Sequence, residues 1–163
     1  MLITQAAAVT PNVRALVYVA AYIPQAGESA SDLTYKDPGS QLVPANLVTR
    51  SEPGGTDIYV NPATFGQVYA GGLSKVASDT AAVEQRPITA AALSDAATAS
   101  PPASTPKWMI VALKDNAIPT KTQFFMANRA HARVSTADSG HDVPAAQPRV
   151  VDNVILEAAQ SVH

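Results

Sequence analysis

The sequence contains no cysteine, so disulfides and thiolate metal sites are excluded and the redox compartment cannot be inferred. Charge is sparse too: Asp, Glu, Lys and Arg make up 15 % of the 163 residues, and the net charge is −2. Lysine and arginine form no cluster, which removes the electrostatic footprint of a DNA, RNA or anionic-membrane partner. No run of about 18 apolar residues exists to span a bilayer. The opening stretch, MLITQAAAVTP, lacks the basic segment and long apolar core of a secretory signal. The chain as given reads as soluble, with no membrane span and no nucleic acid among its partners. What is present is apolar residues at 47 % and a mean hydropathy of +0.04. A chain of this length buries roughly 70 % of its unfolded surface, enough for one core.

Residues 1–10 are small and apolar and stop at Pro11, which predicts the tail of a packed helix. Val13–Ala21, VRALVYVAA, is nearly continuous apolar and rich in valine, as expected of a strand covered on both faces. From residue 27 to 106 the texture changes to Pro, Gly, Ser, Thr and Ala, with apolar residues only in short groups. This predicts an insertion of short helices and loops. Within it, Asn61–Pro62 reads as a helix start and Gly71–Gly72 as its end. Pro87 divides further helical pieces, and TASPPASTP at 98–106 reads as a linker. Lys107–Leu113, KWMIVAL, is a second buried strand; residues 120–132 form an amphipathic helix and Arg133–Ala137 a third, shorter strand. Val150, Val151, Val154, Ile155 and Ala158 fall at helical spacing and close the chain as a helix. Strands joined through helices predict an α/β domain with a three-layer parallel sheet, whose ligands bind beyond the carboxyl ends of the strands.

By that rule, the loops after the second and third strands matter most, and they hold Asp115 in LKDNAIP and His141 in TADSGHDVPAAQP. Neighbouring parallel strands would bring this carboxylate and imidazole together. An aspartate in that position fixes the imidazole tautomer and stabilises the imidazolium, while the imidazole takes a proton from a nucleophile.

The stretches VRALVYVAAYIPQAGES, WMIVALKDNAIP and SGHDVPAAQP resemble three consecutive landmarks of the α/β-hydrolase family, in its esterase-like branch. The resemblance covers essentially the whole chain. It implies Asp115, four residues before Pro119, as the acid, and His141, in a Gly-flanked turn before the last helix, as the base. It also implies a truncated hydrolase core at 1–26 and 107–163 with a helical lid at 27–106. In that lid, Ile58, Tyr59, Phe65, Val68 and Tyr69 would set substrate preference. The family's nucleophile elbow, G-x-S-x-G, appears nowhere; GGLSKV around Ser74 is the nearest imitation. Met1 is therefore expected to lie just past the elbow, making the chain the C-terminal half of a carboxylic ester hydrolase. Its substrate would be a small apolar ester, and no cofactor or metal is implied. The competing expectation is a catalytically inactive domain that binds apolar ligands. A lyase or dehalogenase relative is a third, and no residue demands it. The apolar edge of strand 13–21 would be left unpaired, inviting a homodimer or swapped assembly through it.

Other candidates have plainer readings. Asp138 and Asp142 flank His141 and are the alternative acids. His131, near a helix C-terminus, fits a surface role that favours the dipole, and His163 is terminal. Ser29 and Ser139 read as solvated turn residues without the strained elbow that activates a serine. Trp108 and the pair Phe124–Phe125 read as core.

Overall fold

A strand buried along its whole length needs a covering layer on each face, and KWMIVA has both: all of residues 107–112 are buried. The computed structural model describes residues 1–162, so His163 lies outside the described residues. In chain order the elements are α1 (Leu2–Val9), β1 (Leu16–Val19), α2 (Ala30–Thr34), a 3-10 turn (Pro44–Asn46), β2 (Leu47–Glu52), β3 (Gly55–Val60), α3 (Phe65–Val68) and α4 (Lys75–Glu84). There follow β4 (Ile88–Thr89), α5 (Ala90–Ser94), β5 (Lys107–Ala112), α6 (Thr120–Arg129), β6 (Arg133–Ala137), α7 (Val143–Ala146) and α8 (Pro148–Gln160).

The main sheet has the order β1-β5-β6, all parallel, with Tyr18 opposite Met109 and Met109 opposite Val134. Alternation along β5 divides the core in two. Met109 and Val111 pack with Tyr18, Ile118 and Met126 on the α1 and α6 side. Trp108, Ile110 and Ala112 pack with Val143, Val151 and Val154 on the α7 and α8 side. This is the expected three-layer α/β arrangement. Met109, Ile110 and Val111 are fully removed from water, each contributing about 1.5–3 kcal/mol. Trp108 is core, as its sequence context predicts, and its Nε1 donates to Glu157 at 3.0 Å. Phe124 and Phe125 lie half-buried against the α6 side of the core. β1 is shorter than the apolar run that announced it, because Ala20 turns the chain with φ of 43°.

The segment between β1 and β5 differs from the expected helices and loops. It contains helices, but also a second sheet, antiparallel, in the order β2-β3-β4. Pro53–Gly54 is the two-residue turn of the β2–β3 hairpin, and Gly55 takes a φ of 138° that suits glycine. Asn61 does not cap a helix directly; its Oδ1 accepts from Ala63 N–H in a turn, and the single-turn α3 begins only at Phe65. The Pro-rich stretch before β5 is fastened at its end, where the buried Lys107 ammonium donates to Pro102 O and Thr105 O, both at 2.7 Å. Among the described residues no helix is long and apolar enough to cross a membrane.

Candidate active site

β5 and β6 are neighbours and parallel, so their carboxyl ends open on the same side of the sheet, and the loops beyond them meet. His141 Nδ1 lies 2.8 Å from Asp115 Oδ2. The Asp115 side chain is 0 % exposed and that of His141 17 %. Asp115 Oδ1 accepts from its own loop, from Ala117 N–H at 2.7 Å and Ile118 N–H at 2.9 Å. This is the local bonding that makes aspartate a turn former. Oδ2 accepts from Gln123 Nε2 at 2.7 Å besides facing His141. Every lone-pair direction of the carboxylate thus meets a donor.

The alternative acids are engaged elsewhere. Asp138 pairs with Lys114 at 2.8 Å on the surface, and Asp142 caps α7 through Ala145 N–H. Ser139 is buried rather than solvated, its hydroxyl donating to Gly140 O at 3.1 Å. Ser29 is buried as well; it forms a capping box with Asp32 at the start of α2. Ser74 caps α4. His131, with φ of 53°, sits just past α6, away from the site. Among the described residues no group of three His, Asp or Glu side chains could hold a metal ion.

The His141 ring has the edge of Tyr69 against it at 4.6 Å between centroids. It lines a cavity of about 510 Å³ whose walls include Tyr22, Ile58, Tyr59, Phe65 and Tyr69. Val68 does not line it; it is buried in the packing of α3, because a one-turn helix shows the cavity only one side. Burial pushes the Tyr22 phenol up to about 12, opposed by its hydrogen bond with Thr34 and reinforced by the nearby Asp115 charge. Burial likewise raises Tyr69, with smaller contributions from Asp142 and Asp115. Both phenols are therefore neutral wall groups at neutral pH.

Alternate carbonyls of one short segment fasten both loops. Gln67 O accepts from Asn116 Nδ2 at 2.8 Å, next to Asp115. Tyr69 O accepts from Asp142 N–H at 3.1 Å and Gly71 O from Gly140 N–H at 2.8 Å, on either side of His141. Sequence reasoning missed this clamp, and it missed Tyr22 and Gln123. Tyr22 had a signal, since it follows the carboxyl end of β1 and obeys the same strand-end rule as Asp115. Gln123 offered only a polar residue on the inward face of an amphipathic helix.

A parallel sheet between helical layers, with its cavity at the carboxyl ends of the strands, defines part of an α/β-hydrolase fold. Similar solved structures include polyneuridine aldehyde esterase, with TM-score 0.76 and 18 % identity over 97 % of this chain and 66 % of that one. A methylesterase protein from Arabidopsis matches with TM-score 0.72 and 18 % identity over 94 % of this chain and 62 % of that one. A pyrethroid hydrolase from Sphingobium faniae JZ-2 matches with TM-score 0.68 and 15 % identity over 98 % and 66 %. The chain therefore spans somewhat less than two thirds of the length of these structures. No protein-family model matches it, and no curated protein matches it in sequence.

Proposed function

We propose that this chain carries the acid and base of a carboxylic ester hydrolase, acting on small apolar esters by the serine-hydrolase mechanism. The observation that carries this reading is the 2.8 Å contact between Asp115 and His141 at the wall of a largely apolar cavity. In this mechanism Asp115 holds the imidazole with its proton on Nδ1, leaving Nε2 to take the proton of an attacking hydroxyl and return it to the leaving alkoxide. Four of the residues expected to set substrate preference, Ile58, Tyr59, Phe65 and Tyr69, line the cavity. The reading treats 1–26 and 107–163 as a C-terminal hydrolase core and 27–106 as its lid. No G-x-S-x-G stands in these 163 residues, so on this reading the serine and the oxyanion donors would have to be supplied by a further segment or by a partner chain. Without those groups, His141 works on water and turnover is slow.

The free edge of β1, which pairs only with β5 among the described residues, is where a second copy would add. A concentration-dependent elution volume tests this, and a monomer at all concentrations refutes it.

The activity test is hydrolysis of p-nitrophenyl acetate and butyrate beside a His141→Ala variant. Hydrolysis above the buffer rate, lost in the variant, supports the reading. Equal rates, with the same esters still binding, would make the chain an apolar-ligand-binding domain instead.

A further inference from the structure

We propose that Gln123 is the positioning residue of the Asp115–His141 pair: it fixes the plane of the Asp115 carboxylate so that Oδ2 faces the imidazole. The proposal rests on the reading of this pair as acid and base. Oδ1 is held by two amides of its own loop. Rotation about the Cβ–Cγ bond, a broad torsion for aspartate, moves Oδ1 and Oδ2 together, so the two loop amides restrain the plane only from the Oδ1 side and a donor on Oδ2 restrains it from the other. Among the described residues the donors to Oδ2 are His141, which is the group to be oriented, and Gln123.

The Gln123 amide is locked in the required sense. Its Oε1 faces Ala112 N–H at 3.0 Å, a group that only donates, and its Nε2 faces Ile118 O at 2.9 Å, a group that only accepts. Flipping the amide would break both contacts, so the second Nε2 hydrogen points at Asp115 Oδ2. The residue is fully buried, where an amide is tolerated only when its hydrogen bonds are made. The first turn of α6 that carries Gln123 is itself pinned. Thr120 Oγ1 donates to Ala112 O at 2.8 Å, and Thr122 Oγ1 to Asp37 Oδ2 at 3.0 Å. One side chain thereby joins the end of β5, the Asp115 loop and the carboxylate itself before His141 docks.

The test is the ratio of the two neutral tautomers of His141, read from ring-nitrogen NMR shifts of the 163-residue chain in alkaline buffer. The Nδ1–H form dominates in the native chain. In Gln123→Met the ratio falls about tenfold, the worth of one charge-assisted hydrogen bond. Asp115→Asn marks the limit of complete loss. If Gln123→Met does not fold, Gln123→Asn keeps the amide and shortens its reach by one carbon, and the same fall is expected. A purely structural role lowers the melting temperature and leaves the ratio alone, so an unchanged ratio in either folded variant overturns the proposal. Failure of the hydrolase reading appears elsewhere, as hydrolysis indifferent to His141→Ala, and does not alter the tautomer ratios.

Discussion

Gly140, next to His141, sits where a β-carbon has no room. A Cβ added there would lie 2.8 Å from the Cα, N and O of Gly71, all of them backbone, whereas ordinary contact begins at 3.4 Å. Gly140→Ala must therefore part the two segments by about 0.6 Å, stretching the bond from Gly140 N–H to Gly71 O. Overpacking of this kind costs about 1–3 kcal/mol, and the weakened hydrogen bond about 1 kcal/mol more. For a chain of this size the sum lowers Tm by roughly 5–15 °C. The same shift carries the imidazole away from Asp115, and His141-dependent ester hydrolysis drops about tenfold or more. Gly54→Ala is the control, because nothing lies within 4 Å of its added Cβ. A thermal melt by circular dichroism reads both variants. If Gly140→Ala melts with Gly54→Ala and the native chain, the close approach of the two loops is refuted.

Asp115→Asn faces the loop amides with a group that is no longer an anion and removes the anionic partner of Nδ1; hydrolysis assigned to His141 should fall to the level of His141→Ala, because the imidazole loses the tautomer that leaves Nε2 free to accept a proton. A fall of less than tenfold in kcat/KM would contradict the role of Asp115. Met109→Ala empties a site with 0 % exposure in the centre of the sheet and should cost about 2–5 kcal/mol by urea titration. Glu28 is held below the ordinary carboxylate range, chiefly by its hydrogen bonds from Arg129, at 2.6 and 2.7 Å from the two terminal guanidinium nitrogens, Nη1 and Nη2. Because the folded value is the depressed one, the pair stabilises above the unfolded value and that contribution is lost as pH falls through the folded value. The urea midpoint of the native chain should therefore drop more steeply on acidification than that of Glu28→Gln; parallel curves would remove Glu28 from the account.

The parts of this molecule that can be read from sequence are those whose physics is local or periodic. KWMIVAL announced a two-faced strand because nothing in it tolerates water, and the strand-end rule then led to Asp115 and His141. The β2–β3 hairpin escaped because its strands carry Thr, Arg, Ser and Glu on open faces, so apolar alternation was faint. Its turn, Pro53–Gly54 before a glycine, was the signal to weigh. Val68 was grouped with its neighbours in sequence, yet on a single helical turn adjacent residues point in different directions. The contact of Gly71 with Gly140 and the bond from Gln123 to Asp115 are tertiary. Both depend on segments placed by the finished fold, and glycine and glutamine carry no periodic signal of their own.

Chemical rescue shows whether His141 is a base acting on esters in the cavity. His141→Ala leaves a gap beside Tyr69 and Asp115, and p-nitrophenyl butyrate hydrolysis is followed as imidazole is added. The native chain should hydrolyse the ester faster than buffer, and the variant should not. Imidazole should restore the variant's rate saturably, above what imidazole gives in buffer alone. A native chain no faster than the variant, with imidazole acting equally with and without protein, would refute the role of His141 as base.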